Sequence, residues 1–533
     1  MKRSLVRFLL ILLALCMTAG LVVSCGEKKE PMDTTPESSA PISTPEEGEA
    51  ARYRPEQKDY ERYELYMIIQ TEYHPENREY FESIAGLGGD AISQAFYERD
   101  QFLSEHFNIS ITLEATEGAG ENRAPAKIRK AMDANEDLYD VAFLIAGMRQ
   151  NVPYGDFLDV SSISSLNLEA SYWDQRIQQD YALDGMLFAL EGDYNILDEL
   201  CAMSVFYNRQ LYKDFGYEDT YGSPYSIAST GNWTLDLMLE MMKDTSSGSG
   251  DLTRDDRWGC LISSWYGAHT FLVGGGYRIT QSVDDSTVCN ILDTTYFNRI
   301  FDDLNKILNT LYENNREVLW DCNRDVVTDH DDMLEMFRAN QALFVVTTLK
   351  DGLQFRDMET GYGILPIPKL LSTADGQSEY HCLVLQNYNA PMYFPKTNAI
   401  FEHLDTTASI VEAMCYYSKY AASEGSISLY DAFYEKMTVA KLCRTPEDYK
   451  MMELIYFSKA FCLESAVEFT DVPKLSMSIT EGTTLDYGFE DRYVLRVGYS
   501  TLRSNMTTLR NNATATMQIY LDSVRTNVFE TTN

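Results

Sequence analysis

Three apolar runs alternate with two helix-like segments in the first part of the chain, and this stretch decides the fold. Apolar residues recur at helical spacing from Ala91 to His106, and Pro125 to Ala134 is also typical of a helix. The flanking runs are YELYMIIQ at 63–70, ISITL at 109–113 and YDVAFLI at 139–145. The order β-α-β-α-β predicts a doubly wound parallel sheet with right-handed connections.

The loops that follow the first and third runs are candidate ligand contacts. They comprise residues 71–78 and 146–154. Ligands of such sheets bind at the carboxyl ends of the strands. Four polar or aromatic residues in these loops are therefore candidates, and a plain solvated loop remains the open alternative: Glu72, Tyr73, His74 and Arg149.

The rest of the chain is mainly helical, with short strands between the helices. Thr234 is placed to cap a helix that reaches Lys243, with Asp236 in its first turn. Two apolar runs, ALFVVT at 342–347 and YGIL at 362–365, are typical of strands. Amphipathic helices are predicted at 299–312, 331–339, 406–422 and 446–462.

The amino-terminal segment has the pattern of a bacterial lipoprotein signal. A basic start (Lys2, Arg3 and Arg7) precedes an apolar stretch that ends in Val-Val-Ser-Cys at 22–25. We expect residues 1–24 to be removed and Cys25 to carry an acyl lipid such as palmitate. Prolines among polar residues predict that 25–58 is a disordered tether.

Charge and composition exclude several classes of function. The net charge of -37 disfavours a nucleic-acid-binding protein. The cysteines form no CxxC pair, and the 6 histidines form no HxH or HExxH pair. We therefore predict no metal site, no cofactor and no catalytic residue.

Several segments, taken in order, resemble the extracellular solute-binding protein family 1. These are the carbohydrate-type receptors of ABC importers, in the lipoprotein form common in Gram-positive bacteria. Each motif is weak by itself, but their order along the chain is specific. Segments that carry the resemblance include GDAISQAFYERDQFLSEHFNISI at 89–111, YWDQRIQQDYALDGMLFALEGDYN at 172–195, SVFYNRQLYKDFGY at 204–217 and GYGILPIPK at 361–369.

The resemblance implies a two-lobe α/β fold of the periplasmic-binding-protein type II, with the ligand cleft between lobes joined by a multi-crossing hinge. Lobe one would comprise 59–198 and 346–395, and lobe two 203–343 and 398–500, with crossings near 198–203, 343–346 and 391–398. Residues 501–533 would form a helical tail.

The same resemblance implies a monomeric receptor on the outer face of the cell membrane. It would close its lobes on a sugar or oligosaccharide and deliver it to the ABC permease subunits, without being an enzyme. Open alternatives are a surface glycoside hydrolase, a glycan-binding lipoprotein without a transporter, and a receptor for a peptide or another polar solute.

Sugar binding needs aromatic faces beside convergent polar groups, which selects further candidates. Trp265 and Tyr266 follow the apolar run at 260–262 and precede three consecutive glycines. An aromatic pair packed under its own loop is the alternative. Trp173, Asp193 and Tyr194 lie in the segment that the resemblance places near the junction of the lobes.

Overall fold

The computed structural model describes most of the chain after residue 46. The signal segment, Cys25 and residues 26–46 lie outside the described residues, and so do Glu72, Tyr73 and Trp265. Among the described residues, no helix combines the length and the apolar character needed to cross a membrane. The described ranges are 47–71, 74–82, 90–116, 120–145, 147–246, 255–263, 266–308, 318–321, 330–386, 388–397, 400–467, 507, 510–511, 515 and 517–527.

Strands within the described residues form two main sheets and two short pairs. In chain order they are β1 (Tyr63–Gln70), β2 (Ile109–Thr116), β3 (Val141–Phe143), β4 (Met203–Asn208), β5 (Trp258–Ile262), β6 (Thr280–Val283), β7 (Ser286–Cys289), β8 (Leu319–Asp321), β9 (Ala342–Thr348), β10 (Tyr362–Leu365), β11 (Cys382–Leu383), β12 (Met392–Tyr393) and β13 (Lys459–Ala460).

Helices fill the intervals between the strands. They are α1 (Glu47–Arg52), α2 (Ala91–Phe107), α3 (Ala124–Ala134), α4 (Gly147–Gln150), α5 (Gln175–Asp180), α6 (Leu197–Leu200), α7 (Arg209–Asp214), α8 (Tyr217–Tyr221), α9 (Pro224–Ser229), α10 (Leu235–Thr245), α11 (Gly267–Gly274), α12 (Thr294–Leu308), α13 (His330–Arg338), α14 (Leu349–Gly352), α15 (Ile400–Lys419), α16 (Leu429–Asp431), α17 (Pro446–Phe457) and α18 (Leu463–Val467). A π-helix spans Ala432–Leu442, and a 3-10 helix spans Pro75–Tyr80.

The first sheet has the strand order β12-β3-β1-β2. Strand β1 runs parallel to β2 and β3, with Tyr63 opposite Ile109 and Met67 opposite Val141. The predicted β-α-β-α-β stretch is therefore confirmed. Strand β12 closes the other edge in the antiparallel direction, with Met392 opposite Phe143.

The second sheet has the order β10-β4-β9-β5-β8. Strands β8 and β9 run parallel to β5, whereas β4 runs antiparallel to β9 and to β10. All residues of β9 and β10 are buried. Burial on both faces is the physical reason for the uninterrupted apolar runs at 342–347 and 362–365.

The strand pairing differs from the predicted division of the chain. Residues 343–346, predicted as a crossing, lie within β9, which continues through them between β4 and β5. Strand β10 also belongs to the second sheet, whereas the sequence placed 346–395 with the first. Conversely, residues 391–393 pair with β3, and α15 packs on α2, so both belong with the first sheet. Apolar runs predict strands, but partners are chosen over long sequence distances.

Helix α1 lies inside the segment predicted to be a disordered tether. Its residues have specific partners, since Ser171 N donates to Glu49 Oε1 at 2.7 Å and the following Tyr53 hydroxyl donates to Glu169 Oε1 at 2.7 Å. These hydrogen bonds favour the ordered helix against the conformational entropy that the segment loses on folding. The polar composition alone does not provide such stabilisation. Residues 47–53 thus differ from the tether prediction.

Helix ends follow local capping rules. Thr234 accepts a hydrogen bond from Leu237 N at 3.4 Å and begins α10, with Asp236 in the first turn, as predicted. Asp90 caps α2 in the same way, and that helix ends at Asn108 in the left-handed conformation, φ 53°. At the far end of the chain, residues 517–527 are helical, and Asn527 Nδ2 donates to the carbonyl of Pro153 at 2.9 Å.

Candidate functional site at the facing sheet edges

One polar contact joins residues that follow the carboxyl ends of two strands, one strand from each main sheet. Lys350 follows β9 of the second sheet, and its Nζ donates to Glu76 Oε1 at 2.6 Å and to Asn77 Oδ1 at 2.8 Å. Glu76 and Asn77 lie in the 3-10 helix that follows β1 of the first sheet. The ligand edges of the two sheets therefore face each other.

One side of this contact is buried, whereas the other side is open to solvent. The side chains of Lys350 and Glu76 are 12% and 47% exposed. Asn77 is fully buried, and its Nδ2 donates to the carbonyl of Tyr388 at 3.0 Å. Burial alone would raise the pKa of Glu76, but the hydrogen bond and charge of Lys350 outweigh it, so the pKa lies below its usual value. Glu76 is thus an anionic hydrogen-bond acceptor at the rim.

An aromatic pair lines the same place. The His74 ring lies 4.1 Å from the ring of Tyr388, centroid to centroid, at an angle of 31°. Burial and the Lys350 charge lower the pKa of His74, while Glu76 opposes them. A neutral imidazole stacked on a phenol presents an apolar face together with polar edges.

A second polar group lies on the second-sheet side. Asp351 accepts hydrogen bonds from the Thr347 hydroxyl and from Thr348 Oγ1, the latter at 2.8 Å, and His330 Nε2 lies 3.1 Å from the same carboxyl. Burial raises the pKa of Asp351, but these contacts outweigh it and the net shift is downward. The Tyr266 hydroxyl lies 3.5 Å from His330 Nδ1.

Two of the predicted ligand residues belong to this junction. His74 follows β1 in the first sheet, and Tyr266 follows β5 in the second. Glu72 and Tyr73 precede His74 in the sequence, Trp265 precedes Tyr266, and all three lie outside the described residues. The half-buried Arg149 lies on α4, after β3 at the same edge of the first sheet.

Trp173 and Tyr194 lie in the core instead. Trp173 is 1% exposed, and its Nε1 donates to Glu412 Oε2 at 3.1 Å. The Tyr194 hydroxyl donates to Glu191 Oε2 at 2.9 Å, and its ring packs against Phe143. Their burial and internal partners argue against a direct contact with a ligand in this conformation.

Asp193 lies in a third environment. Burial raises the pKa of its carboxyl to about 6, although Lys419, 3.5 Å away, opposes this shift. Asp193 Oδ2 is buried and has no hydrogen-bond partner within the described residues.

Sequence reasoning singled out none of six residues of the junction, namely Glu76, Asn77, Lys350, Asp351, Tyr388 and His330, although the candidate loop 71–78 contains the first two. Lys350 and Asp351 come directly after the predicted strand at 342–347, so the rule that selected His74 could have selected them. Tyr388 and His330 follow no strand that the sequence analysis predicted, so the same rule does not select them.

Comparisons with known proteins identify the architecture. No family model and no curated protein matches the chain. The solved structure of a family 1 extracellular solute-binding protein from Bifidobacterium longum subsp. infantis is similar over 85% of this chain and 99% of that chain, with a TM-score of 0.50 and 12% identity. The chain has the two-lobe fold of the extracellular solute-binding proteins. Each main sheet is the centre of one lobe, and the Lys350 contact lies between the lobes.

Other solved structures give similar values. An ABC substrate-binding protein from Listeria monocytogenes, in complex with cycloalternan, is 12% identical over 85% of this chain and 99% of that chain, with a TM-score of 0.49. A maltose-bound protein from T. maritima is 12% identical over 84% of this chain and 99% of that chain, also with a TM-score of 0.49.

Proposed function

We propose that this protein is the extracellular receptor of an ABC importer, and that it binds a sugar or oligosaccharide between its lobes. The observation that carries the proposal is the contact of Lys350 with Glu76 and Asn77, which joins strand ends of the two lobes. A two-lobe fold with its ligand edges face to face is suited to enclosing a small solute.

The chemistry of the junction favours a carbohydrate over an apolar ligand. Sugar rings offer apolar faces that stack on aromatic rings, and hydroxyls that need both donors and acceptors. The His74–Tyr388 pair supplies the rings, and Glu76 and Lys350 supply an acceptor and a donor. We propose that Glu72, Tyr73, Trp265, Tyr266 and Arg149 add further contacts to the same ligand.

Transport follows from lobe closure. A ligand that contacts both lobes favours the closed state by the difference between its affinities for the two states. Lys350 would distinguish the closed state from an open one, because its hydrogen bond to Asn77 joins the two lobes. The permease would then recognise the closed receptor.

We propose that the chain is a monomeric lipoprotein on the outer face of a Gram-positive cell membrane, anchored through Cys25 after removal of residues 1–24. The tether up to residue 46 would keep the receptor close to its permease and raise the effective concentration without a permanent contact.

We further propose that the protein is a binding protein without catalytic activity. A retaining or inverting glycosidase needs one carboxylic acid whose pKa is raised, as well as a second carboxylate. The carboxyls described at the junction, Glu76 and Asp351, both have lowered pKa values. Carboxyls with lowered pKa values are ionised, so they accept hydrogen bonds from sugar hydroxyls rather than donate a proton to a glycosidic oxygen.

Calorimetry of the lipid-free chain, residues 26–533, against malto-oligosaccharides, manno-oligosaccharides and peptides tests the proposal. We expect heat from at least one oligosaccharide, reduced in Lys350→Met but not in Lys306→Met, since Lys306 pairs with Asp236 on the surface. Heat from peptides alone would end the carbohydrate assignment. Shortened oligosaccharides after incubation would instead indicate a hydrolase.

A further inference from the structure

Three buried residues outside the proposed sugar site bring together the donor atoms of a metal site. His269 lies on α11, Cys462 follows β13, and Glu464 lies on α18. One imidazole nitrogen, the Sγ atom and a carboxylate oxygen all lie within 4.8 Å of one another. His269 is far in sequence from Cys462 and Glu464, which is why the spacing of histidines and cysteines predicted no metal.

The imidazole is buried and incompletely satisfied. His269 is 7% exposed, and its Nε2 has no hydrogen-bond partner in the described part of the chain. Buried polar atoms are normally paired, so an unpaired one needs an explanation. A buried imidazole nitrogen that has no other partner is a suitable ligand atom for a metal ion.

The carboxylate is oriented by neighbours that leave it room to bind an ion. Glu464 accepts hydrogen bonds from Ile279 N at 3.3 Å and from Thr280 Oγ1 at 3.0 Å. A carboxylate has about four lone-pair sites, so these contacts leave it able to bind an ion. Outer partners of this kind fix the orientation of metal ligands.

We propose that His269, Cys462 and Glu464 bind a divalent transition-metal ion, with zinc as the favoured ion. Nitrogen, sulfur and oxygen donors in one site match the ligands of zinc, and water can complete a tetrahedron. When the ion binds, the Cys462 thiol would release its proton to solvent, and the resulting thiolate and the Glu464 carboxylate would supply two negative charges that balance the ion.

The position of the cluster indicates a structural role. Helix α11 begins directly after Trp265 and Tyr266, which are candidates for the sugar site. Helix α18 packs against α4 of the first lobe and against β6. An ion bound by His269 and Glu464 would hold α11 against α18, the helix that reaches the other lobe.

Cobalt titration of the untagged lipid-free chain tests the site. This chain lacks Cys25, so an exposed lipidation thiol does not contribute. We expect binding of a single Co²⁺ with a thiolate-to-cobalt charge-transfer band, and displacement of the cobalt by Zn²⁺. His269→Gln and Cys462→Ser should each weaken binding by about 100-fold or more, while the buried Cys415→Ser should bind as the native chain does.

Two results would overturn the proposal. One is the absence of a charge-transfer band in the native chain, which is decisive even if a variant fails to fold. The other is unchanged affinity in Cys462→Ser, with native circular dichroism showing that the variant is folded. Because neither readout involves a sugar, failure here is distinct from failure of the receptor assignment.

Discussion

Lys350 Nζ donates a hydrogen bond of 2.8 Å to Asn77 Oδ1 across the two lobes, and the Asn77 side chain is fully buried. The same ammonium also pairs with Glu76 at the more exposed rim. Solvent-exposed ion pairs contribute little free energy, whereas a buried amide that loses its donor is costly. The buried half of the contact therefore dominates its contribution to closure.

Replacing Lys350 by Met should weaken ligand binding by about tenfold to a hundredfold, in line with about 1–3 kcal/mol for a buried polar group left unpaired. The comparison variant is Lys306→Met. Calorimetric titration provides the measurement. Equal dissociation constants for the two variants would show that the cross-lobe contact does not contribute to the bound state.

Removing the Tyr388 ring should also weaken binding. Tyr388→Ala leaves His74 without its stacking partner, and we expect a loss of about tenfold, whereas Tyr388→Phe should lose less because the ring remains. Phe401→Ala on the surface is the matched control. If Tyr388→Phe and Tyr388→Ala lose the same affinity, the stacked face is not the relevant feature.

Glu412→Ala should destabilise the first lobe without changing ligand specificity. Glu412 accepts hydrogen bonds from Trp173 Nε1 at 3.1 Å, Asn167 Nδ2 at 2.8 Å and the Tyr172 hydroxyl. Losing this acceptor leaves buried donors unpaired, and we expect about 3 kcal/mol less free energy of unfolding. Urea denaturation measures it, with the exposed Glu402→Ala as control. A change below that of the control would contradict the core assignment of Trp173.

The unfolding free energy should depend on pH through His269. Its pKa is about 4 when folded, against 6.5 normally, so between these values the unfolded chain binds more protons. Stability should therefore fall by about 3 kcal/mol as the pH decreases from 6.5 to 4 in the presence of a chelator. His269→Gln should remove this part of the slope, and the exposed His106→Gln should not. If stability depended on pH in the same way in the native chain and in both variants, His269 would not be a buried neutral imidazole.

Much of the fold could be predicted from the sequence because its information is local. Alternation and apolar runs predicted β1, β2, β3, β9 and β10. The side chain of Thr234 likewise predicted the start of α10. Strand partners are chosen by contacts between distant segments, so local patterns did not indicate that β10, which lies within 346–395, pairs with β4.

The candidate site was predictable only where a residue follows a recognisable strand. His74 and Tyr266 satisfy that rule, and Lys350 satisfies it too. Trp173 was selected for its residue type, and only the structure shows that Glu412 holds it in the core. His269 meets Cys462 and Glu464 only through the fold, because it is far from both in sequence, and no spacing rule detects this.

Small-angle X-ray scattering of the lipid-free chain tests lobe closure on a sugar most directly. The radius of gyration should decrease when the chain is saturated with the oligosaccharide that gives the strongest calorimetric response, and the same oligosaccharide should be recovered intact. An unchanged radius of gyration at saturation, or recovery of shortened sugar, would contradict a receptor that works by closing its lobes.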